Sequence, residues 1–372
     1  TMARYESNLD LAAAARLVRD HADDPAARAP GHGFAVTTHA KPDGDAIGCV
    51  LATVAALRQL GAAATGYVCP PVPTSLLTLI DDTPLVILPP GEPIPAASFY
   101  LIVDTGAWSQ LEPVRGSLQH HLDHTLILDH HLSGDVPAAF KYIDGSAAAC
   151  AEIIADFIDH LAQRPGLEGP DRRTGKLGTR ADDWQNPLLT PTATRALFAG
   201  VASDTGWFRF SNTRPRTHEL AARLLRLGVD HAALYAQLEQ TERPEKLALL
   251  IRALHSLELL AGNTVALMTL RAADFEETGA LLEETERFVD TPQTVETVQV
   301  VVLATETPAA NGGSDAAPVT RLSFRSKPGP HAVNVAKLAE RFGGGGHARA
   351  AGAKVKAPLD EVVAKVRAAV VG

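Results

Sequence analysis

The decapeptide HAKPDGDAIG, His39 to Gly48, places an imidazole and two carboxylates within seven residues. An apolar run, FAVTT, precedes it, and AIGCVLATVAAL overlaps its end. Like charges held close repel, and burial deepens the cost, so such a cluster needs a positive partner. Three further stations carry the same chemistry. Asp104 ends FYLIVD, Asp129, His130 and His131 end LILDHH, and Asp204 ends ALFAGVASD before TGWFRF. Taken singly, each has an ordinary explanation. Asp43 or Asp45 can cap the next helix, Asp104 can form an Asx turn with Thr105-Gly106, and the histidine pair can be a satisfied turn. Taken together, they imply cations. Four carboxylates, Asp43, Asp45, Asp104 and Asp204, supply a charge of −4, which two divalent ions balance. His39 and His130 add nitrogen ligands, and Asp104, from the middle of the sheet, can bridge both ions. Mixed nitrogen and oxygen ligation without thiolate suits Mn²⁺, with Fe²⁺, Co²⁺ and Zn²⁺ as alternatives, and suits Ca²⁺ poorly. Two ions about 3.5–4 Å apart lower the pKa of a bridging water and clamp the oxygens of an in-line phosphoryl displacement.

A second signal is RFGGGGHARAAG, Arg341 to Gly352. Four consecutive glycines cost backbone entropy and are not expected in a helix or strand. They let the backbone approach a bulky group and offer N–H donors to an anion. His347 follows the glycines, and SFRSK places Arg325 and Ser326 just after a strand. Arginine suits bidentate phosphate contacts. From Arg321 to Lys356 the chain holds eight Lys or Arg and one acid, Glu340. That segment is +7 with histidines neutral, and it leaves −16 for the rest of a chain of net −9. The asymmetry points to a local anion site.

These residues must be positioned by the elements between them. Short apolar strands are expected at Phe34–Thr38, Thr65–Cys69, Phe99–Val103, Thr125–Leu128 and Phe140–Ile143. Helices are expected at Leu9–Arg19, Asp45–Leu60, Ser146–Leu161, Pro191–Ala202 and Thr217–Leu227. The alternation reads as an α/β domain, a parallel sheet covered by helices on both faces, with ligands outside the carboxyl ends of the strands. A helical, charged stretch then suggests a linker. Beyond it lie strands near Thr264–Thr269, Gln299–Ala304 and Val319–Arg325, and helices at Val333–Arg341 and Leu359–Val370. The organisation expected is therefore 1–225 as the first domain, 226–256 as the linker and 257–372 as a smaller α/β domain. The stretches 164–187 and 307–317 read as long loops.

Bulk properties narrow the function classes. The 372 residues are 46% hydrophobic, as in a globular protein. No apolar run is long enough for a membrane span, and the opening TMARYESNLDL lacks the pattern of a secretory signal. Three scattered cysteines, Cys49, Cys69 and Cys150, argue against a disulfide framework or zinc knuckle. A cytoplasmic location is the expectation. The net negative charge disfavours duplex nucleic acid as a partner.

The sequence resembles the DHH phosphoesterases that carry a DHH-associated C-terminal domain, in particular the bacterial oligoribonuclease and pAp phosphatase subgroup. The resemblance rests on six pieces in order: HAKPDGDAIG, VDT at Val103–Thr105, DHH at Asp129–His131, SDTGWFRF at Ser203–Phe210, FRSK at Phe324–Lys327 and NVAKLAERFGGGGHARAAG at Asn334–Gly352. It implies a two-manganese site. One ion would be held by His39, Asp43 and Asp104, and the other by Asp45, Asp104, His130 and Asp204. His131 would face the substrate phosphate, with Asp129 behind it. Arg325, Ser326, His347 and the backbone of Gly344, Gly345 and Gly346 would bind the nucleotide, with the active site in the cleft between domains. The activity implied is hydrolysis of short RNA or pAp by a metal-bridging hydroxide. The alternatives are a linear or cyclic dinucleotide, pyrophosphate or polyphosphate as substrate, a single-strand DNA exonuclease of the RecJ type, and a non-catalytic nucleotide sensor. An exonuclease of that type needs an OB-fold domain for which the chain has little room, and a sensor would have lost a ligand. A homodimer is possible, though no sequence pattern points to one.

Overall fold

The computed structural model describes residues 5–28, 32–163, 186–307 and 318–371. The loops expected at 164–187 and 307–317 lie, apart from their end residues, outside the described residues. The chain forms two compact units, residues 1–241 and 242–372. No helix among the described residues is long and apolar enough to cross a membrane.

The first unit runs α1 (Leu11–Asp23), β1 (Phe34–Thr37), α2 (Gly44–Gln59), β2 (Ala64–Val68), α3 (Thr74–Leu77), β3 (Leu85–Ile87), β4 (Phe99–Val103), α4 (Arg115–Leu118), β5 (Thr125–Asp129), β6 (Phe140–Ile143), α5 (Cys150–Leu161), α6 (Pro191–Asp204), α7 (Pro215–Arg226) and α8 (His231–Glu239). Its six strands are all parallel in the order β3-β2-β1-β4-β5-β6. The central strands β1, β4 and β5 are buried at every position, which accounts for their uninterrupted apolar sequences. Their alternation sorts the core into two layers. Phe34, Val36, Leu101, Val103, Leu126 and Leu128 meet the long helices α1, α2, α5 and α6. Ala35, Tyr100, Ile102 and Ile127 face the opposite side, which α4 and its flanking turns cover through Leu111, Val114 and Leu118.

α2 is apolar almost all round because it is buried between the sheet and α6. Glycine sets how closely the two helices approach. A Cβ on Gly48 would lie 2.4 Å from the Ala196 carbonyl oxygen, and one on Gly44 would lie 2.6 Å from Ser203 Cβ.

The second unit runs α9 (Pro244–His255), β7 (Glu258–Leu260), β8 (Val265–Leu270), α10 (Ala272–Thr278), β9 (Val300–Glu306), β10 (Thr320–Ser326), α11 (Val335–Glu340), β11 (Gly345–His347), β12 (Ala350–Val355) and α12 (Leu359–Val371). Its sheet order is β11-β12-β10-β9-β8-β7, antiparallel except for β8 with β9. One face packs Val302, Leu322 and Phe324 against α11 and α12. On the other, Met268, Val301 and Leu303 pack against α9 and α10. The stretch 226–256 is helical, and its halves go to different units. Leu234 of α8 joins the first core, and Leu249 of α9 joins the second.

Candidate active site

The site begins at the N-terminus of α2. Asp43 caps this helix, its Oδ1 accepting from the N–H groups of Asp45 and Ala46, each at 3.0 Å. Asp45 is fully buried and caps a different helix. Its Oδ2 accepts from Cys150 N at 2.6 Å, and its Oδ1 accepts from Ala151 N at 3.0 Å. These are the first two residues of α5, whose own N-cap residue, Ala149, has no side chain to serve them. Capping and clustering therefore coexist at this pair. α6 approaches closely enough that a Cβ on Gly200 would lie 2.7 Å from Asp45 Oδ1, and its last residue, Asp204, enters the same cluster.

Asp104 follows β4 in the left-handed region, with φ +61°. It is almost fully buried, and each of its oxygens faces one imidazole. Oδ2 is 3.5 Å from His39 Nε2, and Oδ1 is 3.3 Å from His130 Nε2. The other nitrogen of each ring settles the tautomer. His39 Nδ1–H donates to the Ala40 carbonyl at 3.1 Å, and His130 Nδ1–H donates to the Ala147 carbonyl at 3.3 Å. Both rings thus present Nε2 to carboxylates, and His130 Nε2 also lies 3.4 Å from Asp204 Oδ2. His39, Asp43 and Asp104 offer ligand atoms within 4.8 Å of one another, as do Asp45, His130 and Asp204, and as do Asp104, His130 and His131.

The electrostatics describe a site short of positive charge. Burial, then Asp104 and Asp204, raise the Asp45 carboxyl well above its ordinary range. Burial, then Asp104 and Asp43, push Asp204 up to about 7. Burial opposes charge on the histidines, but the carboxylates prevail, led by Asp104. His39 rises to about 9 and His130 to about 10. Burial works to raise Asp104 as well, yet the two imidazoles hold it below its ordinary value. Asp104 Oδ1 is buried with no hydrogen-bond partner. A buried carboxylate oxygen outside hydrogen-bond geometry, two Nε2 atoms turned toward carboxylates and raised carboxyls together fit divalent cations.

Behind this cluster, Asp129 ends β5 with no exposure. Its Oδ1 accepts from His131 N at 3.1 Å and from His131 Nδ1 at 2.8 Å. The hydrogen bond that His131 donates to Asp129, despite partial burial, raises its pKa. The ring is half-exposed. The other oxygen of Asp129 accepts from the hydroxyl of Tyr5. Sequence reasoning missed Tyr5, because a lone tyrosine in ARYESN belongs to no periodic pattern.

In the second unit, register brings Arg325 and His347 together. Both pair with Ala350, Arg325 from β10 and His347 from β11, so they share one row of the sheet about 10 Å apart. They lie on the face opposite Phe324, where α9 and α10 cover the strands up to β9. Arg321, opposite Lys354, and Ser323, opposite Gly352, continue that face. A cavity of about 410 Å³ opens along it, lined in part by Arg321, Ser323, Gly344 and Lys354. Among the described residues none of Arg321, Arg325 and Lys354 has a carboxylate partner, and Arg321 and Lys354 are like charges placed directly opposite. Ser326 is buried, its hydroxyl donating to the Lys327 carbonyl, and Lys327 Nζ donates to the carbonyls of Val295 and Glu296.

The glycine run departs from expectation. Gly345 and Gly346 form strand β11 rather than a loop. Close approach accounts for two of the glycines, since a Cβ on Gly344 would lie 2.1 Å from the Gly352 oxygen and one on Gly346 2.6 Å from the Ala350 oxygen, while one on Gly345 would meet nothing within 4 Å. Gly346 also adopts φ +143°, which other residues avoid.

The chain belongs to the DHH family of phosphoesterases and is a hydrolase of phosphate esters. Residues 33–177 match the DHH family, N-terminal domain, and residues 265–372 match the DHHA1 domain. It is 30% identical over 340 residues, 90% of this chain and 88% of the relative, to the bifunctional oligoribonuclease and PAP phosphatase NrnA of Thermus thermophilus. It is 27% identical, over 85% of this chain and 87% of the relative, to a probable protein of the same description from Streptococcus mutans. In fold it is similar to an exopolyphosphatase-related protein from Bacteroides fragilis. The TM-score is 0.73 at 17% identity, covering 96% of this chain and 95% of that one.

Proposed function

We propose that the chain hydrolyses short oligoribonucleotides and pAp with the help of two divalent cations, manganese in the first instance. The observation that carries the reading is the placement of Asp104. Its two oxygens face two separate imidazoles, and one of those oxygens is buried without a partner. His39, Asp43 and Asp104 would hold one ion, and Asp45, Asp104, His130 and Asp204 the other. When bound, such cations acidify a water and offset charge on the phosphoryl oxygens.

The protein's own groups do the rest. The carbonyls of Ala40 and Ala147 fix both imidazoles with Nε2 toward the carboxylates. The N-terminus of α5 holds Asp45 in place without a cationic side chain. His131, tethered through Nδ1, presents Nε2 to a phosphoryl oxygen and donates a hydrogen bond to it as charge develops. In the second unit Arg325 and His347 are the groups assigned to the nucleotide phosphate. Gly344, Gly345 and Gly346 offer backbone close to it, whereas Ser326, expected to share in that binding, is buried with its hydroxyl on the Lys327 carbonyl. The descriptions of the Thermus and Streptococcus relatives support short RNA and pAp as the substrate class.

The test is an assay of RNA dinucleotides and pAp by protein stripped with chelator, then resupplied with Mn²⁺. Activity is expected to appear with the metal and to vanish in the Asp45→Ala/Asp204→Ala double variant. Wild-type turnover no faster than that variant overturns the proposal.

A further inference from the structure

We propose that Tyr5 is a positioning residue for His131, acting through Asp129. The inference rests on the reading of His131 as the group that faces the substrate phosphate. Asp129 is fully buried and has both oxygens occupied from different directions. Oδ1 takes the Nδ1–H of His131 at 2.8 Å, and Oδ2 takes the hydroxyl of Tyr5 at 2.5 Å. Three donors on two oxygens, the His131 main-chain N–H on Oδ1 being the third, fix the rotation of the carboxylate, and the carboxylate in turn fixes the plane of the imidazole. Without the phenol, Oδ2 is left buried and unpaired, and the carboxylate turns away from His131 to find another donor.

The structure around Tyr5 is built to keep it there. A Cβ on Gly106 would lie 1.9 Å from the Tyr5 hydroxyl oxygen, and one on Gly134 would lie 2.5 Å from its Cε2. Neither glycine has a left-handed φ, so both positions answer a need for space rather than for backbone freedom. The Gly106 carbonyl accepts from Asp135 N at 2.9 Å and Val136 N at 3.0 Å, which closes the loop around the ring. The segment that carries Tyr5 is tied to β6, the edge strand. Asn8 N donates to the Lys141 carbonyl at 3.0 Å, and Asn8 Oδ1 accepts from Lys141 N at 2.8 Å. Ser7 Oγ accepts from Ile143 N at 2.7 Å and donates to the Ile143 carbonyl at 3.1 Å. The opening residues thus protect the sheet edge and deliver one phenol to the rear of the site.

Tyr5→Phe removes the hydroxyl and keeps the ring. Turnover of pAp and an RNA dinucleotide with Mn²⁺ is measured for the wild type, Tyr5→Phe, His131→Asn and the double variant. Mn²⁺ binding is followed by calorimetry, and the imidazole signals by long-range ¹H–¹⁵N NMR of the metal-free protein. The expected result is a roughly tenfold fall in kcat, with KM and Mn²⁺ affinity within about twofold of wild type. No further loss is expected when Tyr5→Phe is added to His131→Asn, and the His131 ring signals should shift in Tyr5→Phe. An unchanged kcat with unchanged His131 signals overturns the inference. So does an equal fractional loss in both backgrounds, which would make Tyr5 a general packing residue. If the wild type hydrolyses neither substrate, the proposed function fails, and the imidazole spectrum still decides the role of Tyr5. Asn8→Ala slackens the segment without touching the site. It replaces Tyr5→Phe if that variant does not fold, with the same pattern expected at smaller amplitude.

Discussion

The acidic end of the first sheet and the basic face of the second solve opposite problems. The first gathers charge in a buried place. Asp45 and Asp104 are almost without exposure, and backbone pins Asp45 through α5 and the imidazoles through the carbonyls of Ala40 and Ala147. The second sets its charges on an open sheet face, with Arg321, His347 and Lys354 exposed, Arg325 half-buried, and glycine in place of side chains at Gly344–Gly346. A buried cluster can bind a small dense cation only if its geometry is fixed beforehand. An exposed row can accept a larger, variable anion and adjust to it. The proposed function therefore places chemistry in the first region, and affinity and choice of substrate in the second.

That division can be broken in order of expected effect. Asp104→Asn should lower kcat/KM by roughly 10⁴-fold and abolish Mn²⁺ binding in calorimetry, since both ligand groups lose their shared carboxylate. Retained Mn²⁺ affinity would break the comparison at its first term. Arg325→Ala or His347→Ala should raise KM for pAp by about 10–100-fold and leave kcat nearly unchanged. A loss confined to kcat would place these residues in the chemistry instead. The Arg321→Ala/Lys354→Ala double variant sharpens the second term. Its KM for a pentanucleotide should rise about fivefold, with pAp unaffected, because these residues continue the same face along β10 away from Arg325.

The smallest effect is on stability. His39 and His130 titrate near 9 and 10 in the folded metal-free protein, above the ordinary imidazole value of 6.5. Their protonated forms contribute stability that is complete below 6.5 and is lost as pH rises through 9 to 10. Asp204, raised to about 7, changes stability in the same direction over a lower range, from about 3.8 upward. In chelator, the denaturant midpoint should fall steadily from pH 6.5 to 10. With Mn²⁺ present the slope should flatten, because the cations stand in for the protons. Parallel slopes with and without metal would contradict the placement of these side chains around a cation.

Much of this arrangement can be read from residue order. FAVT, FYLIV and TLILD are apolar throughout because their strands are buried on both faces, and a polar residue marks each exit from the sheet. Other features depend on contacts that the chain does not spell out locally. Ser146–Ala149 reads as the start of a helix, yet α5 begins at Cys150. Ala149 is extended, with φ −153°, so that the first N–H groups of α5 meet Asp45. Arg321 and Lys354 count toward the basic segment, but only antiparallel register puts them on the same face as Arg325. Leu85–Ile87 is a three-residue strand bounded by prolines, too short to show a period. Tyr5 reaches Asp129 across 124 positions of sequence, and nothing in its neighbourhood announces the contact.

The pairing of Asp45 with the start of α5 has a consequence for any replacement there. Two main-chain amides point at its two oxygens. Asparagine, similar in shape, must turn its own amide nitrogen toward one of them, so that donor confronts donor in a dry interior. The damage would spread to the seating of a whole helix, and the apparently mild exchange would be harsher than alanine.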